Sequence, residues 1–336
     1  MTRILHTADL HIGCCKSYPG YLTRGEALVK ELLRLVKRKK CDYLVIAGDF
    51  FDRSSPGHHE RALVADLFFK CPVPIISIVG NHDRWGREMD QTALNWLTHL
   101  ATRSGHRVWD TPTAEKVGDV WWVAIPSGSW TQSDMYLLTN WLVDQVPRDE
   151  GPVVALAHEF FYGAATDTGY TRRGTRPKIP AHERIQYWAL GDIHKFQKMA
   201  TNAWYPGSPY QIQFGEQLPK GVLIKDIDDR WGKPEFVPIK TPRPLVELTE
   251  VPETWPRAFV KLTVRPEEIP HPLPSCVVTL GTAAGRSTEE AAMELANASN
   301  ENYFLDGLDA YLTKKGFKGE KLERALEFAG DLVKKI

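Results

Sequence analysis

Five short apolar runs in the first two hundred residues each lead into a residue type that can hold a metal ion. This repeated arrangement limits the fold more than any other feature of the 336-residue chain. Ile4 and Leu5 lead into Asp9-Leu10-His11, and Tyr43-Leu44-Val45-Ile46-Ala47 leads into Gly48-Asp49. Ile75-Ile76-Ser77-Ile78-Val79 leads into Gly80-Asn81-His82-Asp83, Val153-Val154-Ala155-Leu156-Ala157 into His158, and Tyr187-Trp188-Ala189-Leu190 into Gly191-Asp192-Ile193-His194. The runs are too short for core helices, and their continuous apolar character marks strands covered on both faces. Leu28, Leu32, Leu35 and Val36, then Leu63, Leu67 and Phe68, fall at helical spacing between the early runs. Strand and helix therefore alternate, which predicts βαβ units. Ligands of such sheets bind beyond the carboxyl ends of the strands, where all five polar clusters fall, so one site can collect them.

Those residue types suit a particular chemistry. Two divalent cations gripping a phosphodiester need oxygen and imidazole ligands and one carboxylate that bridges ions about 3.5–4 Å apart. Asp9 and His11, two apart at a strand end, can face one ion, and Asp49 at the next strand end is suited to bridging. Asn81, His158, Asp192 and His194 complete the two shells. Singly, Asp49 or Asn81 after a glycine reads as a turn residue, but five runs with the same ending do not.

After Trp204-Tyr205-Pro206-Gly207-Ser208-Pro209 the texture changes to proline-rich segments between short strand-like runs, with a boundary expected near residue 242. Phe259-Val260-Lys261-Leu262-Thr263-Val264 alternates like a half-buried strand, and Val277-Val278-Thr279-Leu280 is a second candidate. From residue 301 helical periodicity returns. Phe304, Leu305, Leu308 and Leu312 precede Gly316-Phe317-Lys318-Gly319, and Leu322, Leu326, Leu332 and Val333 follow it.

Charge excludes little. Forty-two basic and forty-two acidic residues cancel, so attraction to nucleic acid has to come from local patches or bound cations. One patch is Thr171-Arg172-Arg173-Gly174-Thr175-Arg176-Pro177-Lys178, between two ligand-bearing strands, which offers Arg172, Arg173, Arg176 and Lys178 as candidate phosphate contacts. The run Lys37-Arg38-Lys39-Lys40 ends a predicted helix, where cations complement the dipole. Cys14, Cys15, Cys41, Cys71 and Cys276 are odd in number and show no C-x-x-C spacing, which argues against a disulfide framework or structural zinc and points to a reducing cytoplasm. Adjacent thiols seldom serve one ion, so Cys14-Cys15 is not counted in the metal site. Of Trp121-Trp122, on opposite faces of a strand, at least one belongs to the core. No apolar stretch reaches the length of a membrane span.

Asp9-x-His11, Gly48-Asp49-x-x-Asp52, Gly80-Asn81-His82-Asp83, His158 and Gly191-x-x-His194 resemble, in order and spacing, the motifs of calcineurin-like metallophosphoesterases. Ala8-Asp9-Leu10-His11-Ile12-Gly13, Ala47-Gly48-Asp49-Phe50-Phe51-Asp52 and Tyr205-Pro206-Gly207-Ser208-Pro209 are most similar to the SbcD nuclease branch, over roughly residues 1–240. The resemblance implies an α/β fold: a two-sheet sandwich flanked by helices, with a small α/β capping domain and a C-terminal helical tail. The expected domains are 1–242 for the nuclease, 243–300 for the cap and 301–336 for the tail. It implies that Asp9, His11 and His194 hold one ion, Asn81, His158 and Asp192 the other, and Asp49 both. Manganese is the expected metal, with magnesium as the alternative. His82 would serve as general acid, oriented by Asp83. The implied activity is hydrolysis of DNA, exonucleolytic on duplex ends and endonucleolytic on single strands or hairpins, in recombination and repair. The implied partners are DNA, an SbcC-like coiled-coil ATPase bound through the tail, and a second copy in a homodimer. One departure stands out: Gly191-Asp192-Ile193-His194 replaces the family's Gly-His-x-His, giving the second ion a carboxylate in place of an imidazole. The rival readings are a phosphatase, a cyclic-nucleotide phosphodiesterase, or a catalytically weak subunit that binds DNA ends.

Overall fold

The computed structural model describes residues 2–85, 91–167, 169, 171, 176–216 and 219–282. The expected tail, the end of the expected cap, and Arg172 and Arg173 lie outside the described residues. In chain order the elements are β1 (Arg3–Thr7), α1 (Leu22–Arg38), β2 (Tyr43–Ala47), α2 (His58–Lys70), β3 (Ile75–Ile78), α3 (Asn95–Arg103), β4 (Arg107–Trp109), β5 (Thr113–Val117) and β6 (Val120–Ile125). They continue with α4 (Gln132–Asp144), β7 (Val153–His158), β8 (Ile185–Gly191), β9 (Gln197–Ala200), β10 (Ala203–Tyr205), β11 (Gly221–Asp226) and β12 (Glu235–Pro238). Last come β13 (Leu245–Leu248), β14 (Phe259–Val264) and β15 (Val277–Thr282). Each of the five apolar runs is a strand, and the two helical spacings are α1 and α2.

Two six-stranded sheets carry the fold, in the orders β12-β11-β1-β2-β3-β4 and β5-β6-β7-β8-β10-β9. Alternation along the strands makes three apolar layers. Ile4, Val45, Ile76 and Ile78 of the first sheet face Trp122, Val154, Leu156, Tyr187 and Ala189 of the second. Leu5, Leu44 and Ile46 point the other way onto Leu28, Leu32 and Leu35 of α1 and Val64 and Leu67 of α2. Val123, Ala155, Trp188 and Leu190 pack on Met135, Leu142 and Val143 of α4. The product is the expected two-sheet α/β sandwich. Trp122 is buried between the sheets, while Trp121 is only partly covered, on the outer side. α4 opens with a capping box in which the Thr131 hydroxyl accepts from the Asp134 N–H and the Asp134 carboxylate accepts from the Thr131 N–H, satisfying donors that a helix start leaves free.

Register brings the ligand-bearing ends level. Ile4 pairs with Tyr43 and Thr7 with Ile46, Leu44 pairs with Ile75 and Ala47 with Ile78, all in parallel. In the second sheet Ala157 pairs with Leu190 and His158 with Gly191. The first pairing continues past the strands, because the Asp9 N–H donates to the Gly48 carbonyl and the His11 N–H to the Asp49 carbonyl, both at 3.0 Å. Asp9, His11, Asp49 and Asn81 therefore leave one sheet where His158 and Asp192 leave the other.

The described residues divide into one compact unit of 2–247, 254–261 and 275–279, and another of 248–253, 262–274 and 280–282. Both large sheets belong to the first. β14 and β15 realise the two strands expected beyond residue 242 and join β13 in the order β13-β14-β15. Among the described residues no helix is long and apolar enough to cross a membrane.

Candidate metal centre

The loops after β1, β2, β3, β7 and β8 bring three overlapping groups of potential ligands together, with the ligating atoms of each group within 4.8 Å of one another. They are Asp9, His11 and His194; His11, Asp49 and His82; and Asp9, Asp49 and His158. The Asp49 carboxylate is central. Its Oδ2 lies 3.4 Å from His11 Nε2 and 3.3 Å from His158 Nε2, and its Oδ1 accepts from the His82 N–H at 2.9 Å. His158 Nε2 is also 2.8 Å from Asn81 Oδ1 and 3.8 Å from Asp192 Oδ1, and its Nδ1 donates to the Ala47 carbonyl at 2.7 Å; against the effect of burial, the Asp49 carboxylate holds the ring well above the ordinary histidine value, so Nε2 presents to the cluster a proton that a cation would replace. The Asp192 N–H donates to Asp9 Oδ1 at 3.0 Å, tying the two sheets' ligand loops together.

The backbone is bent for this purpose. Asp9, His11, Asp49 and Asp192 all have positive φ, between 38° and 96°, where side chains other than glycine's are disfavoured. The glycine before Asn81 is required by close approach, since a Cβ on Gly80 would overlap the Asp49 side chain and backbone. The same holds at Gly191, where a Cβ would overlap the Ala47 carbonyl.

Buried polar atoms test whether the residues suit cations. Among the described residues Asp9 Oδ2 and both ring nitrogens of His11 have no hydrogen-bond partner, though Asp9 is fully buried and His11 is 1% exposed. Such groups are costly when left unmet, and they converge on the same space. Electrostatics agree. Burial pushes the Asp9 carboxyl up, Asp49's charge adds to this, and nearby histidines oppose it. Burial likewise pushes Asp192 up to about 7. Burial would also raise Asp49, but the histidines around it, His158 first, hold it below the ordinary carboxylate range. A packed set of carboxylates and imidazoles in a dry site calls for either protons or cations, and hard O/N donors without thiolates fit divalent manganese or magnesium.

His82 departs in part from expectation. Its exposed ring leans edge-on to His11, with centroids 4.6 Å apart, and its Nδ1 donates to the Asp52 carbonyl at 2.8 Å. Asp83 does not orient that ring. Its buried carboxylate instead accepts the backbone N–H groups of Gly80, Phe50 and Phe51 at 3.1–3.2 Å, so it fastens the β3 loop to the β2 loop. The carboxylate is taken by main-chain donors, and the nearest acceptor for the ring is main chain as well. Burial and the Asp49 charge push Asp83 up to about 7. Of the basic loop, Arg176 pairs with Glu159 at 3.4 Å beside His158, and the Lys178 ammonium lies 5.6 Å from the centre of the Tyr162 ring.

With the cluster assembled, the match to known sequences can be weighed. Residues 2–196, more than half of the chain, match the model of the calcineurin-like phosphoesterase family. The chain belongs to this family. The SbcD component of nuclease SbcCD from Staphylococcus saprophyticus is 25% identical over 269 residues, covering 72% of this chain and 70% of that protein. Its namesake from Bacillus subtilis is 34% identical over 272 residues, covering 67% of this chain and 66% of its own length. The crystal structure of Pseudomonas putida nuclease MPE is 24% identical, covers 45% of this chain and 59% of that one, and has a TM-score of 0.25.

In this calcineurin-like phosphoesterase, two polar residues next to the cluster escaped the sequence reading. Glu216 Oε1 accepts from His194 Nδ1 at 2.7 Å, which leaves Nε2 as the nitrogen that a cation could take. Lys220 Nζ donates to Asp167 at 2.5 Å and to the His194 carbonyl at 2.8 Å, and lies 3.1 Å from Glu216 Oε2. Burial works against the charged form of His194, yet the Glu216 hydrogen bond raises it above its ordinary value. A carboxylate behind a ligand imidazole fixes its tautomer and strengthens it as a donor.

Proposed function

We propose that the chain is a two-metal-ion nuclease that hydrolyses DNA phosphodiester bonds. The carrying observation is the set of three ligand groups that share Asp9, His11 and Asp49, with buried donor atoms that no described residue satisfies. Asp9, His11 and His194 are assigned to one cation, Asn81, His158 and Asp192 to the other, and Asp49 to both. When bound, two such cations supply a water of lowered pKa and neutralise charge on the phosphate oxygens. The protein's own groups do the rest. Asp192 adds a negative charge where an imidazole would be neutral, which tightens cation binding and moderates Lewis acidity. His82, whose Nδ1 is held by the Asp52 carbonyl, is assigned to give a proton to the leaving oxygen. Arg176 and Lys178, with Arg172 and Arg173, offer charge to the phosphate backbone without reading sequence.

DNA as substrate is supported by relatives named as nuclease components over about 70% of this chain. That name also supports an SbcC-like ATPase as partner, and we assign the contact to residues 301–336, beyond the 1–242 nuclease and the 243–300 cap. Repair and recombination in the cytoplasm, manganese as working metal, and cutting at duplex ends and in single strands or hairpins complete the reading. Purified chain is tested on linear duplex DNA and on bis(p-nitrophenyl) phosphate with manganese, with magnesium and with chelator. Manganese-dependent shortening of the duplex that is lost in Asp9→Ala is expected. Hydrolysis of the small ester with the duplex left whole would favour a phosphatase or cyclic-nucleotide phosphodiesterase, and binding of ends without cutting would favour an architectural role. Deleting 301–336 should leave basal cutting unchanged and abolish co-purification with the ATPase.

A further inference from the structure

Arg24, in the first turn of α1, is 1% exposed, and its guanidinium meets no carboxylate among the described residues. Its Nη1 lies 3.2 Å from Cys15 Sγ and 3.8 Å from Cys14 Sγ, and its Nη2 donates to the Gln211 carbonyl. The guanidinium carbon sits 4.8 Å from the centre of the Tyr210 ring and 5.8 Å from that of Phe259. Nε has no partner among the described residues. A guanidinium cannot shed its proton in a protein, and a buried cation without a counter-charge costs several kcal/mol. Rings and one carbonyl offset only part of that cost. The groups in contact that can become anionic are the two thiols and the Tyr210 hydroxyl.

Geometry separates the three. The Tyr210 hydroxyl donates to the His11 carbonyl at 3.1 Å and receives the Cys14 thiol at 3.4 Å, and burial pushes it well above its ordinary range, so it stays neutral. Cys14 is 4% exposed, and its hydrogen bond with Cys15 and then burial push its thiol well above the ordinary range, so Cys14 keeps its proton. Cys15 is the closer sulfur to Nη1 and is only half-buried, and among the described residues its Sγ also lies 3.7 Å from the Ile212 carbonyl, a contact the thiol form would donate and the thiolate would give up for Nη1. Its backbone is also fixed in the left-handed region at φ 62°, which aims the side chain at Arg24 at a conformational cost.

We propose that Cys15 is carried as the thiolate counter-ion of Arg24 and is a modification site for peroxides. The thiolate attacks one peroxide oxygen, a sulfur–oxygen bond forms and the oxygen–oxygen bond breaks. The electron pair leaves on the far oxygen, which takes a proton from solvent and departs as water from hydrogen peroxide or as an alcohol from an alkyl hydroperoxide. Sulfur is oxidised by two electrons and the peroxide is reduced by two. The product is a sulfenic acid at Cys15. Cys14 is poorly placed to close a bridge, because adjacent Cα atoms stand about 3.8 Å apart across a trans peptide, below the roughly 4.4–6.8 Å of ordinary disulfides. The hydrogen bond from Cys14, helped by Arg24 and opposed by burial, draws the Cys15 thiol below its ordinary value.

The test uses the full chain. Trypsin releases residues 4–16 as one peptide carrying both thiols, and fragment masses tell them apart. Iodoacetamide labelling is followed against pH in the native chain and in the same chain unfolded in urea, where a free thiol titrates near about 8.5. The native Cys15 profile is expected to turn over at least one unit lower than the unfolded one, and dimedone should add to Cys15 after peroxide. A smaller shift, a shift upward, or a dimedone adduct on Cys14 in place of Cys15 would overturn the assignment. Arg24→Met should return the profile to the unfolded position. If that variant fails to fold, the wild-type comparison decides alone.

Discussion

His6 and His11 stand five residues apart on the same strand and its exit loop, both out of reach of solvent, and they are opposites. His6 is satisfied at both nitrogens, by the Tyr187 hydroxyl at 2.9 Å and the Leu190 carbonyl at 3.2 Å. Among the described residues His11 finds a partner at neither. Burial lowers both below the ordinary histidine value, His6 to about 3. A buried polar side chain with its partners in place belongs to the scaffold, and one without them marks a place for something the chain does not supply.

That contrast can be broken by experiment. The largest effect belongs to the bridging position: Asp49→Asn should drop DNA cutting to the uncatalysed background and release both cations, read by nuclease assay and titration calorimetry. Retained manganese affinity would refute the bridging role. Next comes His82→Ala, which should lower kcat about 10²–10⁴-fold while both metals stay bound. Loss of metal in that variant would make His82 a ligand and not a proton donor. Glu216→Ala should weaken one of the two cation sites about 10–100-fold and spare the other, because it acts through His194 alone.

The smallest effect sharpens the scaffold side. The native chain keeps His6 neutral down to about pH 3, whereas the unfolded chain takes up the proton near 6.5. Between those values the unfolded state binds more protons, so His6's contribution to stability is whole above about pH 6.5 and declines as pH falls toward 3. The limiting slope is about 1.4 kcal/mol per pH unit. Urea melts of wild type and His6→Leu across that window should differ in slope by this amount, with manganese affinity unchanged at neutral pH. Equal slopes would show that His6 is solvated or charged in the native state.

How much of this was legible in the sequence follows from where each residue's role is written. Asp9, Asp49, Asn81, His158 and His194 follow apolar runs whose period declares a strand, and parallel pairing then brings strand ends together with no further information. Glu216 and Lys220 follow no such run. They reach His194 because the chain folds back over 22 and 26 residues, a proximity that local pattern does not encode. The assignment of Asp83 to His82 failed for a related reason. Adjacency suggested a side-chain pair, while three main-chain N–H groups from two loops held a stronger claim on the carboxylate. Arg24 was invisible as well: it lies at the start of an amphipathic helix, and only the fold shows that no carboxylate among the described residues comes to meet it.

The left-handed backbone at Asp9, His11, Asp49 and Asp192 carries a consequence for laboratory evolution. Each such residue costs on the order of 1 kcal/mol that glycine would not. A library selected only for heat resistance should therefore enrich glycine at these four positions, and a library selected for cutting should purge it. The positions where the two selections pull in opposite directions would outline the working part of the molecule with no substrate or metal in hand.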